Sequence, residues 1–356
     1  MNDFTPLIGI VTSRKLNGTI GGNGPLFLAL QKKLISLNGI SFVFTPEDVS
    51  EEYINGYTFS PEENQWRKAR FPYPDLVYNR IPFRKSEKEE NSQKLFSILK
   101  EKNIPFFNPC FIDKYELFQL LKKDSSIAQY LPETILVKNQ KDLFHFLKKF
   151  MGIYLKPVQS SKGKGIFRIR MDSHSELLLE GINRHTRYPS FTHFWNEWNE
   201  ELLLKTYIAQ EEILSAEYEG TRFDFRILAH ANQEEYILTG VGVRLSQKQD
   251  VTTHIPSGGR LIPYQQLQSN DHDEFFQTIV SKVGHAITAH IGYFGEFSID
   301  AGLSQTGRYY IFEVNSKPMS FDEIEIEESK IENLCKLFLQ LINQKKMHEN
   351  LPYLEN

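Results

Sequence analysis

Lys156 stands near the end of an apolar segment, Gly152-Ile-Tyr-Leu-Lys-Pro-Val158, and the chain continues as Gln159-Ser-Ser-Lys-Gly-Lys-Gly165. A lysine among apolar neighbours is costly unless an anion neutralises it. The residues that follow suit an anion: small side chains let backbone N–H groups approach it, and Lys162 and Lys164 add positive charge. Phosphate fits this set; a solvated hairpin tip with a snorkelling lysine is the competing reading. The loop runs into a further strand, Ile166-Phe-Arg-Ile-Arg170, so it is a hairpin and not the strand-to-helix turn of a Walker A loop. A second group lies near the C-terminus. Asp300 ends Phe297-Ser-Ile-Asp, and Glu313 and Asn315 alternate along Ile311-Phe-Glu-Val-Asn, which puts both on one face of a strand. Two carboxylates and an amide oxygen are hard ligands, suited to Mg²⁺ that also holds triphosphate oxygens. An edge strand with a solvated carboxylate is the alternative. Between the two groups runs Ile208-Ala-Gln-Glu-Glu-Ile213. Its extended backbone can pair with an adenine edge, and Glu211 or Glu212 can hold ribose hydroxyls, although Glu-Glu is more often a solvated face.

These residues need sheets to hold them. In the first hundred residues strand patterns (Pro6–Thr12, Ser41–Pro46, Pro74–Ile81) alternate with helical spacing (Leu26, Phe27, Leu30, Leu34; then Leu95, Phe96, Leu99). Such alternation predicts a small parallel sheet. The polar stretch between Pro61 and Pro74 is expected to be an exposed loop. Gly18–Gly24 lacks the G-x-G-x-x-G spacing of a dinucleotide loop; substrate binding at the following helix start, or a flexible turn, are its two readings. Arg80 is a candidate for gripping a substrate carboxylate, with a surface ion pair as the alternative. Asp113 caps a predicted helix carrying Leu117, Phe118 and Leu121. Strands are predicted at Glu133–Val137, Gly152–Val158, Tyr207–Ile213, Phe223–Ala229, Tyr236–Leu245, Gly295–Ala301 and Tyr309–Asn315. Helices fall at Lys141–Phe150, around Phe275–Ile287 and over Ile324–Asn343. The aromatic stretch Tyr188–Trp198 is either a lid or plain packing. The expected division is an α/β domain over 1–107, two α+β subdomains over 108–206 and 207–345, and a tail over 346–356.

In this order the pieces resemble the ATP-grasp superfamily. The matching signals are Asp113-Lys114 opening a helix, Leu155-Lys156-Pro157 before the Ser-Ser-Lys-Gly-Lys-Gly loop, Gln210-Glu-Glu-Ile213, Asp224-Phe-Arg226, and Phe312-Glu-Val-Asn-Ser-Lys-Pro318. The resemblance covers about residues 108–345 and is nearest to the YheC/YheD spore-coat-associated group, to which Pro74–Ile81 and Ile255-Pro-Ser-Gly-Gly259 are also similar. It implies an ATP-grasp fold, two α+β subdomains clasping ATP, behind a small parallel-sheet pre-grasp domain. It implies ATP with Mg²⁺ (or Mn²⁺) as cofactors. Lys114 and Lys156 would contact the phosphates, and Ser160, Ser161, Lys162, Gly163, Lys164 and Gly165 would fold over them. Gln210, Glu211, Glu212 and Ile213 would form the hinge around adenine and ribose. Asp300, Glu313 and Asn315 would hold the metal. Arg226 and Arg244 would face the transferred phosphoryl group, where a guanidinium fork matches phosphate oxygens. Two positions depart from the pattern: Thr253-His254-Ile255 stands where related ligases carry an Asn, and Met319 replaces a glycine.

The activity this implies is a carboxylate–amine (or carboxylate–nucleophile) ligase working through an acyl phosphate, on a small-molecule or peptide acid and an amine acceptor. The alternatives are a nucleotide-binding spore-coat assembly protein without turnover and a small-molecule kinase. Spore-coat proteins are the expected protein partners, and the cytoplasm on the mother-cell side, or the coat, the expected location. A formal net charge of −4 gives no basic footprint for nucleic acid. No signal-peptide pattern or membrane-spanning apolar run is read. Cys110 and Cys335 are too far apart to suggest a disulfide framework or a zinc site. Asp271-His272-Asp273 reads as helix-start charge, and His285 and His290 face different sides of one helix.

Overall fold

The computed structural model describes residues 4–159, 165–182, 184–246 and 259–350. Three six-stranded sheets follow one another along the chain. The first comprises β1 (Leu7–Val11), β2 (Ile40–Phe44), β3 (Ile54–Ser60), β4 (Gln65–Phe71), β5 (Leu76–Asn79) and β6 (Phe106–Phe107) in the order β4-β3-β2-β1-β5-β6. Its centre is parallel, β2-β1-β5-β6, as βαβ alternation requires. The polar stretch after Pro61 is not simply a loop: Gln65–Phe71 forms an antiparallel hairpin with β3. It is exposed as expected, and its charged residues escaped a strand reading because an edge strand needs no buried face. Helices α1 (Gly24–Ser36), α2 (Arg84–Glu87) and α3 (Glu90–Glu101) flank this sheet. Asn23 caps α1 by accepting from the Leu26 N–H.

After α4 (Lys114–Lys122) and α5 (Ser125–Ala128), the second sheet collects β7 (Thr134–Leu136), β8 (Gly152–Pro157), β9 (Phe167–Met171), β10 (Leu177–Gly181), β11 (Arg184–Tyr188) and β12 (Tyr207–Glu211). It is antiparallel throughout. Its inner face, including Ile153, Leu155, Ile169, Leu179 and Ala209, packs under α6 (Gln140–Phe150) and α7 (Phe191–Leu204). The aromatic stretch resolves as packing. Phe191, Phe194 and Trp198 are buried at helical spacing on α7, and the Trp198 indole donates to the Tyr188 hydroxyl at 2.9 Å.

The third sheet is β16-β15-β14-β17-β18, with β13 (Glu217–Tyr218) pairing β14. Its strands are β14 (Thr221–Asn232), β15 (Glu235–Leu245), β16 (Arg260–Ile262), β17 (Glu296–Leu303) and β18 (Tyr309–Asn315). Phe275, Phe276, Ile279, Val283 and Ile287 of α8 (Asn270–His290) close one face. The last helix, α9 (Ile324–Asn350), bridges to the first sheet: the Phe338 ring packs at a tilt against Tyr78 and Phe107. Gly240 and Gly242 of β15 admit its start, because a Cβ on Gly240 would lie 2.8 Å from Ile326. No helix among the described residues is long and apolar enough to cross a membrane.

Candidate functional site

The outer face of the third sheet supplies one wall. Register aligns Gly242, Arg226, Asp300 and Glu313 across β15, β14, β17 and β18, and residues paired directly across strands share a face. Asp224 pairs with Arg244 two residues along. Asn315 pairs with Ser298, and its amide donates to Asp300 Oδ2 at 3.3 Å. A bulge falls between the pairs Asp300–Glu313 and Ala301–Ile311, so Ile311 returns to the core while Phe312 turns to the cleft side. Its ring lies over Gly302, where a Cβ would meet it at 2.5 Å.

The second sheet supplies the opposite wall. Tyr154 and Lys156 of β8 share a face with Ile208 and Gln210 of β12. Lys156 Nζ donates to Gln210 Oε1 at 2.5 Å, and the Gln210 amide donates to Thr134 Oγ1 at 3.1 Å. Lys114 projects from the first turn of α4, whose N-cap Asp113 accepts from the N–H groups of Tyr115 and Glu116. Its Nζ lies 3.2 Å from Glu313. Arg222 of β14 donates to the Tyr154 hydroxyl at 2.9 Å and ties the two walls together. The cleft between them encloses about 840 Å³ of space, its open mouth included. A smaller apolar recess adjoins it behind Phe312, floored by Leu117, Phe118 and Ile208.

Charge inside the cleft is tightly opposed. Burial, with Lys114 nearby, pulls the Lys156 ammonium down to about 8 against Glu313, Asp224 and Asp300. Burial pushes the Asp300 carboxyl up while Arg226 and Arg244 oppose the shift. Burial and the adjacent Arg226 lower Arg244. Both arginines are nearly covered, 7% and 8% exposed. Arg226 donates to the Met319 carbonyl at 3.3 Å and stacks on Phe321 at 4.7 Å.

Most of the residues expected at the site converge here: Lys156, Gln210, Glu211, Ile213, Arg226, Arg244, Asp300 and Glu313 line the cleft, and Lys114 and Asn315 touch lining carboxylates. Glu212 does not line it. Its carboxylate accepts from Arg170 at 2.8 and 2.6 Å and faces Arg168 at 3.5 Å, beside Gly152. Glu211 accepts from the Glu133 N–H at 3.0 Å. Gly165, at φ +72, turns the chain back against Pro157 and Tyr207. Ser160, Ser161, Lys162, Gly163, Lys164 and the Thr253–Gly258 segment lie outside the described residues. Arg80 is neither free for a substrate nor on the surface, since it pairs with buried Glu296 at 3.2 Å and donates to the Pro318 carbonyl at 2.9 Å. The Gly18–Gly24 turn reaches the loop after β18, where the Asn23 amide donates to Ser320 Oγ at 2.8 Å. Sequence reasoning gave no role to Tyr154, Ser215, Arg222, Asp224 or Phe312, all of which line the cleft. Alternation from Lys156 and Arg226 puts Tyr154, Arg222 and Asp224 on the same faces and is the signal by which they could be found.

The donor set fits a divalent cation. Asp300 Oδ1 is buried without a hydrogen-bond partner among the described residues, and an orphaned buried acceptor demands a cation or donor. Glu313 is its cross-strand neighbour, so two hard carboxylates stand side by side on the cleft wall. The facing lysines fit phosphate oxygens. Anion binding would raise Lys156 above its resting value of about 8. Affinity for a phosphate ligand is then full below pH 8 and declines as pH rises from there toward the bound-state value, by up to about tenfold per unit. Lys156→Met should flatten this profile and weaken nucleotide binding by about 1.5–3 kcal/mol. Titration calorimetry from pH 7 to 10 checks both; an unchanged profile would remove Lys156 from the phosphate site.

The model of the family described as YheC/D like ATP-grasp matches residues 103–343. The endospore coat-associated protein YheD of Bacillus subtilis (strain 168) is 28% identical over 340 residues, covering 88% of this chain and 72% of that protein. Endospore coat-associated protein YheC of the same organism is 23% identical over 295 residues, covering 79% and 81%. Among solved structures, the ATP-grasp ligase PsnB complexed with a minimal precursor superposes with a TM-score of 0.57 at 13% identity, covering 95% of this chain and 100% of that one. VanG D-Ala:D-Ser ligase from Enterococcus faecalis gives 0.56 at 13% identity with the same coverage. At such identity these structures speak to the fold alone.

Proposed function

This chain belongs to the YheC/D-like ATP-grasp family, and from that premise we propose that it is an ATP- and Mg²⁺-dependent ligase joining a carboxylate to an amine through an acyl phosphate. The observation that carries the proposal is the row Arg226–Asp300–Glu313 facing Lys156 across the cleft. It sets cations and carboxylates where a triphosphate needs both. Lys156 and Lys114 hold phosphate oxygens, with the Ser160–Gly165 loop over them. Gln210, Glu211 and Ile213 border adenine and ribose, and Phe312 supplies a flat apolar surface for the base. Glu212, held by Arg170 and Arg168, stiffens the hinge and does not reach for ribose. Asp300, Glu313 and Asn315 hold Mg²⁺, which when bound offsets phosphoryl charge and fixes the triphosphate. Arg226 and Arg244 stabilise charge on the transferring phosphoryl group. The donor carboxylate attacks the γ-phosphorus, ADP leaves, and the acceptor displaces phosphate from the acyl carbon.

The solved PsnB complexes hold a precursor peptide, which supports a peptide among the acids or acceptors of this chain. The coat-associated names of YheD and YheC support a place in the mother-cell cytoplasm or the spore coat. A fluorescent fusion confined to the forespore interior through sporulation of a spore-forming host would remove that place.

Purified protein with Mg–ATP and pooled amino acids and short peptides tests the chemistry. A ligase releases ADP and free phosphate with a new amide. ADP with a stable phosphoproduct and no free phosphate indicates a kinase. Tight ATP binding with no turnover in any pool would leave a binding protein and overturn the ligase.

A further inference from the structure

The carboxylate of Glu323 sits at the end of the row Gly242–Arg226–Asp300–Glu313, on the side away from the metal ligands. A Cβ on Gly242 would lie 2.5 Å from Glu323 Oε1, so the glycine is what lets the carboxylate rest against the sheet. Gly242 is the cross-strand partner of Arg226, and Arg244 follows two residues on. Glu323 therefore lies beside the two arginines assigned to the phosphoryl group. Its Oε1 is buried with no hydrogen-bond partner among the described residues. The neighbouring chain is firmly placed: Met319 is held through its carbonyl by Arg226, Phe321 lies under the same guanidinium, and the Phe321 N–H donates to Glu327 at 2.7 Å. A carboxylate with one buried oxygen lacking a donor, beside the two arginines assigned to the phosphoryl group, is complementary to a cationic nucleophile.

We propose that Glu323 is the catalytic residue that receives the acceptor, selecting a primary ammonium and taking a proton from it. The inference rests on the ligase reading and adds the acceptor's class and the residue that activates it. In the step, the ammonium gives one proton to Glu323, and the freed nitrogen lone pair attacks the acyl carbon. The C–N bond forms and the C–O bond to phosphorus breaks, with the electron pair leaving on phosphate. A second nitrogen proton goes to the departing phosphate, leaving a neutral amide, hydrogen phosphate and a protonated Glu323. Burial pushes the Glu323 carboxyl up, with Asp322 adding to the shift and Arg244 and Arg226 opposing it. That direction makes it a better proton acceptor than an exposed glutamate.

The test uses the full chain with Mg–ATP, a pool of N-acetyl amino acids as carboxylate donors and one of two acceptors. Amino-acid amides are largely cationic at neutral pH, whereas hydroxylamine is uncharged there and needs no base. Mass spectrometry reads amide and hydroxamate. Glu323→Gln should cut amide formation about 100-fold more than hydroxamate formation, the scale of general-base catalysis. Gly242→Ala, which keeps the charge but displaces it, should shift the ratio in the same direction by a smaller factor. Equal loss of both products would assign Glu323 a structural role and overturn the proposal, as would an undiminished amide rate. Wild-type protein that binds Mg–ATP but makes neither product would overturn the ligase reading itself, an outcome distinct from the other two.

Discussion

Glu313→Ala should abolish the Mg²⁺-dependent part of ATP binding while leaving the protein folded. Glu313 pairs directly with Asp300 across β17 and β18, and both its oxygens face Lys114 Nζ at 3.2 and 3.3 Å. Two effects of opposite sign follow from its removal. The cation loses one of two carboxylates, and truncating one partner of a desolvated charge pair costs about 2–5 kcal/mol. That is a roughly 30- to several-thousand-fold loss of affinity. Lys114 and Lys156, however, lose the anion that offsets them and gain attraction for bare triphosphate. ATP without magnesium should therefore bind the variant as well as, or better than, the wild type. Calorimetry with Mg²⁺ and with a chelator separates the two. Because the Glu313 side chain is 28% exposed, its loss leaves no sealed cavity, and thermal unfolding of the ligand-free variant should move little. Wild-type affinity for Mg–ATP in the variant would remove Glu313 from the metal site, and Asp300→Asn would then show whether the orphaned Asp300 oxygen acts alone.

This site was unusually legible because its parts are local. Lys156 and Glu313 each break an apolar strand, and a charge in such a place announces a partner. Asn315 follows from Glu313 by alternation, and Asp300 stands out as the acidic end of an apolar strand. What stayed hidden depends on register between distant strands. Nothing near Glu212 in sequence says that Arg168 and Arg170, some forty residues earlier, take its carboxylate. Nothing at Gly242 or Glu323 says that the two meet. The bulge that turns Phe312 over Gly302 is equally invisible, since strict alternation would pair it with a core residue. The central parallel strands of the first sheet were readable from their buried runs, whereas β4 was not, because both its faces are exposed and Gln65, Arg67 and Lys68 leave no apolar period to read.

Glu296→Ala should destabilise the whole protein by about 3–5 kcal/mol, the cost of leaving buried charges unpaired. Glu296 opens β17, four residues before Asp300, and no sequence signal marked it out. It is fully buried, as is Lys330 of α9, which lies 3.2 Å away. Tyr78 of β5 donates to it at 2.6 Å, and Arg80, just past the end of that strand, at 3.2 Å. Burial alone would raise this carboxyl, but Lys330, Arg80 and His230 outweigh it and hold it at about 2. Its contribution is therefore present above the ordinary glutamate range near 4.5 and is lost as pH falls toward 2. Burial keeps His230 near 4, so it is neutral at pH 7 and adds no further cation to the group left unpaired. Glu327 also faces Lys330, at 3.6 Å, yet it is partly exposed and already accepts from the Phe321 N–H. It recovers little. Denaturant unfolding should accordingly show a lower midpoint for Glu296→Ala, and Glu296→Leu with Lys330→Met should regain a good part of it by removing both charges. An additive double variant would mean that the two groups do not interact. The network also reaches the site. Arg80 grips the Pro318 carbonyl, and Asn108 donates to the carbonyls of Glu296 and Ser316 at 2.9 and 2.7 Å. Releasing Arg80 would free the loop that carries Met319 and Phe321 beneath Arg226, so the single variant should lose turnover even at temperatures where it remains folded.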